Sequence, residues 1–354
     1  MKILDCMCRN VFEYRRKLFH LPRLVTTHDC STASAARRRR ILFFGTDNFS
    51  LPSLKILNES LKSNGTVSSL EVVTSFKAKR NPLKQYVQAE GLPLHDWPLQ
   101  RPAVDSDFDL GVVVSFGHLI PESLISSFRL GMLNVHASLL PKLRGAAPIV
   151  HAIRNGDTET GITIMKIKPN HFDVGEILTQ RKIPITKHML MPELHSQLAE
   201  IGASALLHCI DNLDHYYSSL TVQDSQNVTY APKIDAQFTE IRWSEMSGKQ
   251  VYDLYRALYS YRPLTTRLGN ELVKIFKLCY PPALEEEEAS REGTPLPVGQ
   301  IQYCRRRKLL RVGCRDGSTV EVEQLSIGGK KVMSAQEFNN GFLNKMESTA
   351  RMFR

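Results

Sequence analysis

No run of apolar residues in this 354-residue sequence approaches the roughly 20 needed to cross a bilayer, so neither a spanning segment nor a membrane partner is expected. The seven cysteines include no CxxC pair. Cys6, Cys8 and Cys30 fall near the start, while Cys209, Cys279, Cys304 and Cys314 are scattered, which argues against the common zinc frameworks, so no metal is expected. Scattered thiols also suit a reducing compartment better than an oxidising one. The closely spaced glycines of a dinucleotide fingerprint are missing: Gly45 stands alone after the first apolar run and reads as a plain tight turn. Most of the chain also lacks a strong charge excess. The formal net charge is +10, but residues 1–40 hold ten basic and three acidic residues, leaving the rest only mildly basic. A body coated in positive charge is therefore excluded.

That front segment is Arg-rich and acid-poor, with Thr26, Thr27, Ser31, Thr32 and Ser34 near its end, the composition of a mitochondrial presequence. Residues 1–38 are assigned to targeting, with the mitochondrial matrix as destination. The remaining length suits two domains. From Ile41 to Phe44 an all-apolar run reads as the first core strand, followed by a helical stretch from Leu51 to Leu61. The pattern repeats with strands near 69–76, 108–116, 131–137, 160–167 and 177–185, and helices near 82–90, 121–128, 146–154 and 191–213. Such alternation predicts a largely parallel sheet covered by helices, here over residues 39–213. Residues 214–232 turn polar and irregular before Pro232 and read as a linker. Beyond them a helix near 246–259 and several short β-like runs predict a small barrel over residues 233–354. An acidic, Pro-containing loop, Glu285 to Pro297, interrupts it.

The stretch from Gly131 to Pro148 carries the most information. Asn134 and His136 are two apart in a strand, so their side chains leave one face at its carboxyl end, where open α/β sheets bind ligands. Alone, Asn-x-His is as compatible with a satisfied strand end, and Asp173-Val-Gly175 with a simple turn. Together with Ser138-Leu139-Leu140-Pro141, Arg144-Gly-Ala-Ala-Pro148 and Gly161-Ile-Thr-Ile-Met165, however, they resemble the folate-dependent formyltransferase family. The likeness runs from about residue 41 to 345. Val228-Thr-Tyr-Ala231, Ile241-Arg-Trp-Ser244 and Gly329 to Gln336 are similar to the linker and C-terminal barrel of methionyl-tRNA formyltransferases.

The resemblance implies an α/β fold: a Rossmann-like, mostly parallel sheet formyltransferase domain followed by a small OB-like β-barrel that binds tRNA. It implies 10-formyltetrahydrofolate as formyl-donor cosubstrate, initiator methionyl-tRNA as partner, and a monomer. Formyl transfer needs a neutral amine, a donor for the developing oxyanion and a proton for the departing N10. A free α-amino group has a pKa of about 7.7–8.0, and esterification of the adjoining carboxyl lowers it, so no strong base is required. Asn134, His136 and Asp173 match the family's catalytic set: Asn134 as oxyanion donor, His136 as donor and proton carrier, Asp173 as support for the imidazole or proton acceptor. Ser138, Leu139, Leu140 and Pro141 match its folate-binding segment. The stretch from Lys166 to Phe172 is one residue longer than in bacterial relatives, and Lys168 replaces an acidic position.

Lys77, Lys79, Arg80 and Lys84 follow the second strand where bacterial relatives carry a longer basic loop against the tRNA acceptor end, with Arg80 the preferred contact. Arg305 and Arg306, with Arg307, Lys308, Lys330 and Lys331, are candidates for phosphate contact in the barrel. Two other readings remain at this stage. One is a formyltransferase acting on glycinamide ribonucleotide. The other is a catalytically inert mitochondrial RNA-binding protein.

Overall fold

The computed structural model describes residues 38–77, 81–99, 108–280 and 295–354. The segment expected to serve targeting, up to Arg37, the Lys79-Arg80 pair and the acidic run Glu285 to Glu288 lie outside the described residues.

The first sheet begins with β1 (Arg39–Gly45), two residues earlier than the apolar run suggests, because Arg39 is buried and donates to the Ile210 carbonyl. Along β1 the side chains alternate: Ile41 and Phe43 enter one core, Leu42 and Phe44 the other. A strand apolar on both faces belongs in the middle of a covered sheet, which is where β1 lies. Six more strands complete it: β2 (Val67–Thr74), β3 (Leu94–Asp96), β4 (Leu110–Val114), β5 (Met132–His136), β6 (Glu159–Lys166) and β7 (Ile177–Pro184). Their order is β3-β2-β1-β4-β5-β6-β7, with β6 alone antiparallel to its neighbours. Helices α1 (Leu51–Lys62), α2 (Pro82–Glu90), α3 (Glu122–Ile125) and α4 (Pro148–Arg154) lie between strands, and α5 (Met191–Asp211) follows β7. The third is a single turn rather than the longer helix expected near 121–128. In α5, Leu194, Leu198, Ala205, Leu206, Cys209 and Ile210 form one buried stripe.

The polar stretch after α5 is more structured than its composition suggests. It opens with helix α6 (Leu213–Ser218), and Tyr216, Tyr217, Leu220 and Ala231 pack against the first core. Thr221 then pairs with Ile177, and Tyr230 with Arg144.

The second domain is an antiparallel sheet of six strands, β8 (Leu264–Leu268), β9 (Glu271–Cys279), β10 (Ile301–Cys304), β11 (Leu309–Gly313), β12 (Thr319–Ile327) and β13 (Met333–Ser334). The chain's last residues close it: Phe353 bridges Leu268 and Met352 bridges Gln300, joining the β8 edge to the β10 edge. Closure removes exposed edges that would otherwise invite pairing. Helices α7 (Gly248–Leu258) and α8 (Ala335–Gly341) each start with a reciprocal capping box, Ser247 with Gln250 and Ser334 with Glu337. The domains meet where Ala147 and Val150 of the first reach the second core. Buried Asp253 and Arg256 of α7 pair at 2.5 Å there, and Arg256 also donates to the carbonyls of Thr186 and Met189.

Candidate functional site

Leu133 and Val135 of β5 point into the first core, so Asn134 and His136 emerge on the opposite face, as strand periodicity requires. His136 is buried at 6% exposure, while Asn134 stays partly open. The His136 Nε2 lies 3.0 Å from the Leu143 carbonyl oxygen. A carbonyl can only accept, so Nε2 carries the hydrogen and Nδ1 is the nitrogen turned to the site. That Nδ1 sits 3.4 Å from Asp173 Oδ1, and the Asn134 carboxamide nitrogen sits 3.5 Å from the same oxygen. The other carboxylate oxygen accepts from the Gly145 backbone N–H at 2.9 Å. The structure thus brings Asn134, His136 and Asp173 together around one carboxylate.

Two backbone features hold this arrangement. Asp173 adopts φ +56°, in the left-handed region, which aims its carboxylate back toward β5. Gly145 has φ +121° and passes so close to the linker that a Cβ would lie 2.7 Å from the Ala231 carbonyl oxygen. Only glycine meets both demands there while leaving its N–H free to reach Asp173. Lys168, the unexpected base in the preceding loop, forms an ion pair with Glu176 at 3.2 Å and so does not enter the site.

The segment Ser138 to Pro141 bends just after β5, beside the loop that follows β4, because Val114 and Val135 are register partners. Ser138 and Leu140 turn inward, and Leu139 and Pro141 are partly open. Its backbone already has partners: Thr163 Oγ1 donates to the Ser138 carbonyl and accepts from Leu140 N, and Gln180 donates to the Leu140 carbonyl. The bend therefore offers shape and apolar surface more than free backbone donors. Thr163 belongs to the Gly161-to-Met165 motif and pairs in register with His136. Gln180 is its neighbour on β7. Gln223, which contacts Asp173 from the linker, carries no local signal at all.

At the crossover between β1 and β4, where open sheets bind ligands, the N-terminus of α1 is occupied by the chain itself. Asp47 accepts from the backbone N–H groups of Phe49 and Ser50 and from the Ser115 hydroxyl. The dipole end that holds pyrophosphate in dinucleotide folds is thus filled by a carboxylate, in keeping with the lone glycine at position 45. Beside it, burial pushes the His195 imidazole below its usual range, with Asp47 opposing. Among the described residues no group of three or more His, Cys, Asp or Glu could hold a metal ion, and no helix is long and apolar enough to cross a membrane.

Arg305 and Arg306 are exposed in the turn between β10 and β11, and Lys330 and Lys331 are exposed between β12 and β13. Antiparallel pairing of β11 with β12 sends both turns to the same end of the sheet. Arg307 differs in forming an ion pair with buried Glu321 at 2.7 Å.

Two family models match the chain. A family model described as formyl transferase matches residues 39–210, and one described as formyl transferase, C-terminal domain, matches residues 233–343. The chain is 38% identical over 309 residues to the human protein named methionyl-tRNA formyltransferase, mitochondrial, covering 86% of this chain and 78% of that one. It is 32% identical over 311 residues to the methionyl-tRNA formyltransferase of Roseobacter denitrificans, covering 85% and 95%. Among solved structures, the sugar 3N-formyl transferase WlaRD superposes with a TM-score of 0.58 at 18% identity, covering 83% of this chain and 99% of that one. HypX from Aquifex aeolicus in complex with tetrahydrofolic acid gives 0.55 at 17% identity, over 87% and 48%. The structural likenesses show the fold; the sequence matches, which take in both domains, show that the chain belongs to the formyl transferase family.

Proposed function

We propose that this chain moves the formyl group of 10-formyltetrahydrofolate to the methionine amino group of an initiator methionyl-tRNA, in the mitochondrial matrix, giving N-formylmethionyl-tRNA for mitochondrial translation initiation. The observation that carries the reading is the convergence of a carboxamide, an imidazole and a carboxylate within 3.5 Å at the end of β5. The names of the relatives support the acceptor, since they match across both domains. The Arg-rich start supports the location.

The folate supplies the formyl carbon and a nitrogen leaving group. The loops Phe116 to Ile120 and Ser138 to Pro141 would hold it, as they follow adjacent strands and present apolar surface, with Leu119 52% exposed. Asn134 donates its amide N–H to the oxygen of the tetrahedral intermediate. His136 adds a second donor from Nδ1 when its ring is charged, because Nε2 is fixed on Leu143. Asp173 steadies that charge, and the His136–Asp173 pair takes the proton shed by the amine and passes it toward the departing nitrogen. Loose distances of 3.4 and 3.5 Å leave these groups free to reorient toward reacting atoms. In the second domain Arg305, Arg306, Lys330 and Lys331 contact tRNA phosphates, with Arg80 near the acceptor end. The second domain thereby enlarges the RNA contact beyond what the mildly basic catalytic domain offers.

The deciding experiment incubates the full chain with methionyl-tRNA and 10-formyltetrahydrofolate and measures acid-stable N-formylmethionine. Its appearance, dependent on both substrates, supports the reading. Formylation of glycinamide ribonucleotide in its place, or binding of RNA with no formyl product, would overturn it.

A further inference from the structure

The loop carrying Asp173 has few holds of its own. Asn170, His171 and Phe172 are exposed, and both Asn170 and Asp173 have positive φ, at +61° and +56°. One side chain from outside the loop grips its backbone. The Gln223 carboxamide nitrogen donates to the Asp173 carbonyl at 3.0 Å and to the Gly175 carbonyl at 2.9 Å. Its oxygen accepts from Arg144 Nε at 3.1 Å and Nη2 at 2.7 Å. All four hydrogen-bonding positions of the amide are thereby filled. Arg144 is itself fixed to the linker, its N–H donating to the Thr229 carbonyl and its own carbonyl accepting from Ala231 N. The next residue, Gly145, gives its N–H to the Asp173 carboxylate. The contacts form a closed ring: carboxylate, Gly145, Arg144, Gln223 and back to the Asp173 backbone.

We propose that Gln223, held by Arg144, is a positioning residue for formyl transfer, fixing the backbone of Asp173 so that its carboxylate stays between Asn134 and His136. This deepens the function proposed above and rests on it. The chemistry of the ring selects glutamine. Glutamate keeps the acceptor for Arg144 but loses both donors and sets a negative charge against two carbonyl oxygens. Methionine, of similar length, loses donors and acceptor together. The close fit of Gly175, where a Cβ would lie 1.6 Å from the Lys166 carbonyl oxygen, means the loop cannot restore the carboxylate by shifting toward β6.

The test measures kcat and both Michaelis constants for Gln223→Glu, Gln223→Met, Asp173→Asn and the double variant Asp173→Asn/Gln223→Glu, with thermal midpoints alongside. The expected result is a fall in kcat of about 10- to 100-fold for each Gln223 variant, for a group displaced on the order of an ångström from its working geometry. The Michaelis constant for the folate should stay within about twofold, because its proposed loops do not touch Gln223. On the Asp173→Asn background, Gln223→Glu should cost less than about threefold more, since residues acting as one unit are non-additive. If Gln223→Glu does not fold, Gln223→Met gives the same reading without introducing a charge. Wild-type kcat in both Gln223 variants beside an impaired Asp173→Asn would overturn the positioning role, and so would full additivity in the double variant. Wild-type kcat in Asp173→Asn would instead overturn the role of Asp173 itself, and with it this inference.

Discussion

Two buried polar clusters, one at the domain junction and one within the first domain, are built to opposite rules. In the second domain Asp253 and Arg256 are both 4% exposed in their side chains and closely partnered. Asp253 accepts from Arg256 and from Lys249 at 2.5 Å each, and Arg256 Nη1 reaches the Thr186 and Met189 carbonyls. In the first domain His136 and Asp173 are nearly as buried, at 7% and 11%, yet face each other across 3.4 Å, with Asn134 at 3.5 Å. Burial alone therefore does not mark a working site. A charge pair held at 2.5 Å and tied on to carbonyls of the other domain locks the two domains together. A group held at the limit of hydrogen-bond distance retains capacity for atoms that arrive during the reaction.

The largest effect should come from breaking the closely partnered cluster. Asp253→Ala leaves Arg256 buried without its countercharge and should lower the unfolding free energy by about 3–5 kcal/mol, read from denaturant melts. The comparison fails if this variant is as stable as the parent. The loose cluster should respond in the other currency, turnover. His136→Ala and Asn134→Ala should each reduce kcat by roughly 100-fold or more, equivalent to about 3 kcal/mol of barrier, with little change in the thermal midpoint. Large instability with proportionate loss of activity would place these two with Asp253 as structural groups.

Smaller effects sharpen the same division. Arg305→Ala/Arg306→Ala and Lys330→Ala/Lys331→Ala should raise the Michaelis constant for tRNA several-fold and flatten the salt dependence of binding by about one unit per lost phosphate contact. The folate constant should hold steady, and unchanged tRNA kinetics in both variants would remove RNA contact from this end of the barrel. At the junction, burial pushes the His151 imidazole below its usual range, with the Pro232 carbonyl opposing and Arg154 reinforcing. A lowered folded value means the unfolded chain binds the proton more readily. Stability from this group is fully present above the unfolded value of about 6.5 and is lost as pH falls through it toward the folded value. His151→Gln should shrink the difference in thermal midpoint between pH 7.5 and pH 5. An unaltered difference would assign the acid sensitivity elsewhere. Removing residues 1–37 should change specific activity least of all, because it keeps Arg38, which bonds the Gly65 and Val67 carbonyls, and the whole of β1. In cells the shortened chain should stay outside mitochondria, and a loss of activity in vitro would show that the segment serves the fold.

The sequence by itself determined whatever depends on local periodicity or on residues close along the chain. The all-apolar run of β1 and the repeated strand-then-helix pattern set the covered sheet, and the two-residue spacing of Asn134 and His136 put them on one face. In the second domain the helical stretch near 246–259 is legible and becomes Gly248–Leu258, whereas the helix Ala335–Gly341 is not expected from the sequence. Only the tertiary structure decided what depends on distant segments meeting. Arg39 and Arg40 look like the end of a basic leader, yet become the first residues of β1, because a parallel partner and the Ile210 carbonyl lie ready for them. The polar run 214–232 reads as a simple connector, yet its Gln223 reaches across fifty positions to Asp173. The sheet of the second domain closes through Met352 and Phe353, far in sequence from the strand ends they bridge. A side chain's partner 50 or 85 residues away leaves no trace in its own neighbourhood, since one glutamine or one terminal phenylalanine has no period to detect.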